Sequence, residues 1–382
     1  MPSLKNKAIL ILSPQSWGKM FLSKHHYAIE LAKRGNTVFF LNPPHQHGFM
    51  FSRSVVTISP SDVQSNLYFI NHQLFFPYHL KFHWTSLFHL LMKIHVRKII
   101  EKIEHPIDIV WSFDLGNLYP FSFFPKTTYK IFHPVDEPLN QVAFRSAIGA
   151  NVIFSVTKEI LDKYEFIDVP KHFVNHGVLD AFLGNVKPYV GNNPIRIGFS
   201  GNLLRKDIDR AVLLKIIKEN QTCLFEFWGS YRQEQSNIGG DEDQSSKEFV
   251  SELEGCNNVR LHGVIQVEEL ASEIHAMDAF LICYDVLKDQ SKGTNYHKVM
   301  EYLATGKLVI SNNITTYANQ PELVSMVVER DNNRSLPELF KTSIRNLKTL
   351  NRIELISQRI KFASENTYSK QVILIENLIV EK

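Results

Sequence analysis

Continuous apolar runs separated by longer amphipathic stretches recur along this chain. Ala8 to Leu12 reads AILIL and Thr37 to Leu41 reads TVFFL; the segment between them ends in Lys33-Arg34-Gly35, where Gly35 suits a helix C-terminus. Short apolar runs without alternation fit strands covered on both faces, as in a parallel sheet. Strand, helix, strand is a βαβ unit. Further strands are predicted at Leu67 to Ile70, Ile107 to Trp111, Tyr129 to Phe132 and Val152 to Ser155, with helices at Leu80 to Ile103 and Lys158 to Tyr164. The pattern restarts after a Gly/Asn/Pro-rich stretch, Val190 to Pro194. Strands follow at Ile195 to Ser200, Leu224 to Trp228, Val259 to His262 and Ala279 to Tyr284, with helices at Ile208 to Glu219 and Val267 to Ala276. Arg232 to Lys247 lacks apolar periodicity and predicts a loop. The expectation is two α/β domains, residues 1–190 and 191–364.

The segment Asn295 to Ser311, NYHKVMEYLATGKLVIS, carries the most chemistry. Val299, Met300, Leu303 and Ala304 fall at helical spacing, Gly306 suits a left-handed helix stop, and Leu308 to Ile310 reads as a buried strand. A helix start at Asn295, Tyr296, His297 and Lys298 presents free N–H groups that suit a phosphate. Glu301, about one turn further in, is placed to accept hydrogen bonds from sugar hydroxyls. A solvated surface explains Glu301, His297 and Lys298 equally simply. The loop Gly201-Asn202-Leu203-Leu204-Arg205-Lys206-Asp207 follows a strand. Gly201 permits close approach of a ligand, and Arg205 and Lys206 supply charge for a diphosphate; an exposed basic pair opening a helix is the alternative. Gly229, just past a strand end, and Val264, in the His262 to Ile265 turn, lie where open α/β sheets bind ligands. In the first half, Gly18 sits in the Ser16 to Lys19 strand–helix loop. His133 ends a strand, with Asp136 three residues on. A strand-end His can orient a sugar or take a proton, and a turn built on Pro134 and Pro138 accounts for the same residues.

Composition narrows the class. With 382 residues and 44% apolar content the chain can bury two full cores. A net charge of +3, no concentrated basic face and no recognised motif argue against nucleic acid. Met1 to Pro170 nevertheless holds 17 Lys+Arg against 12 Asp+Glu, and eleven of the 16 His. Gln73 to Ile100 mixes aromatic and basic residues; a long helix packed on the sheet is favoured there over an amphipathic surface that meets anionic lipid. Cys223, Cys256 and Cys283 share no motif spacing and read as reduced thiols. No metal-ligating spacing such as HExxH occurs. No signal peptide is visible and no apolar run nears the ~20 residues of a membrane span. The expectation is a cytoplasmic protein, with a peripheral place on the inner membrane face as an extension.

Asn295 to Ser311 resembles the signature helix of GT-B glycosyltransferases, closest to the large, mostly retaining family four and to bacterial surface-polysaccharide sugar transferases. The shared pattern is a Lys, a Glu followed by Tyr-Leu, then Ala-x-Gly-Lys and a Val-rich strand. SKHHYAIELAKRGNTVFFLNPP and Asn175 to Asp180 with Phe182 resemble further segments, so the likeness covers nearly the whole chain. It implies an α/β GT-B fold: two Rossmann-like doubly wound domains facing across a cleft, with a C-terminal helix (365–382) returning to the first. It implies transfer of a sugar from a nucleotide diphosphate sugar, of UDP or GDP type, to a hydroxyl of a glycan or lipid-linked acceptor in cell-surface polysaccharide synthesis. Retention and no obligatory metal or cofactor go with it. On this likeness Glu301 holds the donor ribose, Lys206 with Arg205 holds the diphosphate, Gly18 lies beside donor phosphate and acceptor, and His133 and Asp136 serve catalysis. Two departures stand out. The family's second glutamate is here Gly293, and the Arg that follows the glycine is Asn202. They keep two other readings open: an epimerase of the nucleotide sugar, and a non-catalytic GT-B subunit supporting a partner transferase.

Overall fold

The computed structural model describes residues 3–18, 21–45, 53–232 and 243–380. The chain forms two compact units, Met1–Asn175 with Tyr368–Lys382, and His176–Thr367.

The first unit is built on eight strands: β1 (Ala8–Leu12), β2 (Thr37–Leu41), β3 (Val55–Pro60), β4 (Leu67–Gln73), β5 (Ile109–Ser112), β6 (Tyr129–Phe132), β7 (Val152–Ser155) and β8 (Lys171–Phe173). Their order is β3-β4-β2-β1-β5-β6-β7-β8. All pairs are parallel except β3 with β4. The apolar runs of β1, β5 and β7 are almost wholly buried, as strands covered on both faces must be. The helix expected over Leu80 to Ile103 breaks at Trp84 (φ −135°, ψ 65°) into Leu80–His83 and Thr85–Ile103. The C-terminal helix Tyr368–Val380 belongs to this unit. Tyr27 Oη donates to Gln371 Oε1 at 2.6 Å, Gln371 Nε2 donates to the Asn175 carbonyl at 2.7 Å, and Arg34 pairs with Glu376.

The second unit carries β9 (Ile195–Ser200), β10 (Cys223–Trp228), β11 (Val259–Gly263), β12 (Ala279–Ile282), β13 (Leu308–Ser311) and β14 (Val324–Met326). Their order, β11-β10-β9-β12-β13-β14, is parallel throughout. The chain reverses winding direction between β9 and β12, which opens a crevice at their C-terminal ends. Residues 176–190 fold with this unit, so it starts about fifteen residues before the Val190 to Pro194 stretch. The cause is burial: Phe182 sits in the second core, Gly184 N–H donates to the Ala304 carbonyl at 2.8 Å, and Tyr189 Oη donates to Asp278 at 2.8 Å. The loop expected over Arg232 to Lys247 runs partly outside the described residues. Its end is the helix Gln244–Glu254, which Asp243 caps by accepting from Ser246 N–H at 2.8 Å.

Candidate functional site

In the second unit three strand ends meet through glycine. Gly201 N–H donates to the Trp228 carbonyl at 2.8 Å, and Gly229 N–H to the Gly263 carbonyl at 2.7 Å. Gly201 and Gly229 have φ of +152° and +126°, and a Cβ on Gly229 would lie 2.1 Å from the Gly201 oxygen. No side chain fits there. Gly229→Ala is therefore expected to cost the second unit about 2–4 kcal/mol, checked by urea unfolding.

The helix Lys298–Ala304 supplies Lys298 and Glu301. It is shorter than the pattern suggests, with His297 as N-cap and the stop at Gly306 (φ +78°). Lys298 is buried beneath the Gly201 loop. Its ammonium donates to the Ser200 carbonyl and, at 2.6 Å, to Tyr284 Oη, and it lies over the Phe199 and Tyr284 rings. Burial lowers its pKa. Lys298 thus holds β9 and β12 to the helix, and both of the donor contacts above go to protein oxygens.

Arg205 is held beside the same residues. Its Nε lies 2.8 and 3.2 Å from the two Asp207 oxygens, its guanidinium is 5.8 Å from the Tyr284 ring centre, and Nη2 is 4.0 Å from Asp289 Oδ1. The hydrogen bond to Asp207 raises its pKa further. Lys206 points elsewhere. It is 62% exposed and pairs with Asp243 at 3.2 Å, at the cap of helix Gln244–Glu254. Of the two cations expected on the diphosphate, the fold thus sets Arg205 beside Tyr284 and Asp289 and turns Lys206 towards a different helix.

The Glu301 side chain is 19% exposed and 3.7 Å from His297 Nε2. Burial pushes its carboxyl up to about 7 against the opposing pull of Lys298. A ligand whose hydroxyls donate to the carboxylate favours the ionised form. Its affinity is then expected to fall as pH drops below about 7, approaching tenfold per pH unit, and Glu301→Gln is expected to flatten the profile. Titration with an intact nucleotide sugar checks this, because its diphosphate diester takes up no proton near neutrality.

The remaining candidates divide. Tyr296 Oη donates to Asp289 at 2.7 Å, and the same carboxylate accepts from Ser291 and Gly293 N–H, so Tyr296 latches the preceding loop. Asn295 is buried, His297 is exposed and 6.2 Å from the His176 ring, and Val264 is exposed just past Gly263. Tyr284, Asp207 and Asp289 were not singled out from the sequence. Asp207 and Asp289 lie in loops and Tyr284 bridges to Ile208, with no spacing to mark any of them.

In the first unit the candidates lie at the C-terminal ends of β1 and β6. Gly18 is exposed, and a Cβ there would meet open space, so nothing near it demands glycine. Lys19 is outside the described residues. His133 is fully buried among Tyr27, Trp111, Phe113 and Phe154, and among the described residues neither ring nitrogen has a hydrogen-bond partner. Burial lowers its pKa to about 3. In this conformation His133 does not reach a ligand, whereas Asp136 is exposed. Lys24, not marked by the sequence, is buried with its ammonium on Gln15, and burial lowers its pKa to about 8 against Asp136 and Asp114.

No protein-family model and no curated sequence matches the chain. Solved structures do. Sucrose-phosphate synthase from Thermosynechococcus elongatus is 10% identical with a TM-score of 0.69, over 98% of each chain. Anabaena HepE, determined with UDP and glucose, is 13% identical with a TM-score of 0.63 over 98% of each chain. WaaG, a glycosyltransferase of lipopolysaccharide biosynthesis, is 12% identical with a TM-score of 0.61 over 98% of this chain and 100% of its own. The chain has the GT-B fold. Within that GT-B frame, Gly201, Arg205, Lys298 and Glu301 cluster at the switch point of the second unit, where open α/β sheets take ligands.

Proposed function

We propose that the protein is a glycosyltransferase. It moves a sugar from a nucleotide diphosphate sugar to a hydroxyl of a glycan or lipid-linked acceptor, in cell-surface polysaccharide synthesis on the cytoplasmic side. The observation that carries this reading is the grouping of Arg205 and Glu301 about Lys298, whose ammonium lies against Gly201 at the end of β9. In the reaction the bond from the anomeric carbon to the diphosphate breaks, the acceptor oxygen bonds to that carbon and loses its proton, and the nucleoside diphosphate leaves. Arg205 stabilises the leaving charge, so no metal is required for that step. Glu301 accepts the ribose hydroxyls. Retention at the anomeric carbon is part of the proposal by fold analogy. UDP is the first nucleotide to try, since a neighbour of the same fold was determined with it. Asp136 is the acceptor-side candidate, and His133 is retained as a positioning residue.

The test is nucleoside diphosphate release from a panel of UDP and GDP sugars, with and without a lipid-linked glycan extract. Acceptor-dependent release from one donor supports the transferase. Interconversion of the free donor without acceptor identifies an epimerase. Binding without turnover on any donor identifies a non-catalytic subunit.

A further inference from the structure

Helix Thr85–Ile103 carries two apolar faces where one would serve folding. Phe88, Met92, Val96, Ile99 and Ile103 are buried in the first unit's core. On the opposite side Leu87, Leu90 and Ile94 recur at helical spacing in solvent, and Leu90 is 58% exposed. The break at Trp84 adds two aromatic rings beside them: Phe82 is 71% and Trp84 65% exposed. A solvent-facing helix side ordinarily carries polar residues, and exposed apolar side chains ordinarily stand singly. The charge here is one-sided as well. From His79 to Ile103 the segment holds Lys81, Lys93, Arg97, Lys98 and Lys102 against the single acid Glu101. Apolar side chains occupy the first half of the exposed face and cations the second. Among the described residues no helix is long and apolar enough to cross a membrane.

We infer that this face is a docking surface for an anionic lipid bilayer. Phe82, Trp84, Leu87, Leu90 and Ile94 enter the boundary between headgroups and acyl chains, where aromatic rings are favoured. Lys93, Arg97 and Lys98 meet the lipid phosphates. A second copy of this chain carries the same positive charge on the same face and is repelled, whereas an anionic bilayer is attracted. The inference goes beyond the proposed reaction and stands independently of it. A soluble acceptor in the transfer assay leaves it untouched.

The experiment is co-sedimentation of the full chain with vesicles of phosphatidylcholine alone and of phosphatidylcholine with phosphatidylglycerol. The expected result is binding to the anionic vesicles, weakened by salt and nearly absent on the neutral ones. Trp84→Ser with Leu90→Ser, and separately Arg97→Glu with Lys98→Glu, are each expected to reduce partitioning at least about tenfold while thermal melting is unchanged. Failure of the wild type to sediment with anionic vesicles overturns the inference. So does sedimentation that both double variants leave intact. A dimer that Trp84→Ser with Leu90→Ser dissociates, without vesicle binding, overturns it in favour of self-association.

Discussion

Replacing Arg205 by alanine is expected to slow sugar transfer by about 10²–10³-fold, whereas Lys206→Ala changes it by less than about twofold. The two residues are adjacent in sequence and similar in charge, and only their surroundings separate them. Arg205 is fixed by both oxygens of Asp207, lies over Tyr284 and comes within 4.0 Å of Asp289. A cation already held in place needs no reorganisation as charge grows on a departing diphosphate. Both cations have a carboxylate partner, but Lys206 is 62% exposed and lies against Asp243 at the start of another helix, whereas Arg205 stands over Tyr284. Arg205→Lys keeps the charge and loses the planar fork, so its rate should fall between wild type and alanine. Nucleoside diphosphate release at saturating donor reads the effect. A separate binding titration shows how much of the loss is affinity. If Lys206→Ala proved the more damaging variant, the assignment of the diphosphate to Arg205 would be wrong.

The first unit is expected to unfold in mild acid. Among its described residues four histidines are buried: His25, His72, His95 and His133. Burial lowers their pKa from 6.5 to about 4, 3, 4 and 3 respectively. The His72–His95 pair is joined in one chain of hydrogen bonds. His95 Nδ1 lies 3.1 Å from Ser54 Oγ, His95 Nε2 2.8 Å from His72 Nδ1, and His72 Nε2 3.0 Å from the Asn42 carbonyl. Donation from His72 Nε2–H to that carbonyl leaves Nδ1 to accept from His95 Nε2–H, so both rings sit neutral. The sign follows from linkage. Above pH 6.5 the folded and unfolded chains are both neutral at these sites and nothing is lost. As pH falls from about 6.5 towards 4 the unfolded chain takes up protons that the folded chain refuses, and stability drops. Each such histidine contributes up to about 1.4 kcal/mol per pH unit. Summed over several rings, that reaches the ~5–15 kcal/mol that holds a typical domain together. Trp228 is the one tryptophan of the second unit, so a Trp228→Phe protein reports the first unit alone by fluorescence. His133→Phe, which fills the same cage of rings without a titrating group, should move the acid midpoint down. An acid transition in which His133→Phe leaves the midpoint unchanged would contradict this account.

What the sequence revealed and what it hid have physical causes. The βαβ plan was legible because β1, β2, β9, β12 and β13 are buried on both faces, and their apolar runs leave no other reading. The Gly306 stop was legible because a left-handed residue at a helix end is written in the sequence. β3, β8 and β14 were missed: they are edge strands, and the exposed or half-exposed positions of β3 and β8 carry no continuous apolar run. Helix Gln244–Glu254 was hidden by the polar stretch before it, and its buried stripe of Phe249, Val250 and Leu253 is short. Within the candidate site, Glu301 and Gly201 stood out through their motif. The different surroundings of Arg205 and Lys206 were not visible, because partners such as Asp243 and Asp289 are brought to them only by the fold. His133 shows the converse. A strand-end histidine looked accessible, and the aromatic residues that bury it come from separate elements, Tyr27, Trp111, Phe113 and Phe154.

The central claim, a nucleotide site in the second unit with Glu301 on the ribose, is tested most directly by calorimetric titration of UDP, GDP, TDP and CMP sugars. Wild type and Glu301→Ala are compared, each confirmed folded. The account predicts tight binding of one diphosphate nucleotide, weakened at least tenfold (about 1.4 kcal/mol) by the substitution. Absence of binding to every nucleotide, or binding that Glu301→Ala leaves unchanged, would contradict it.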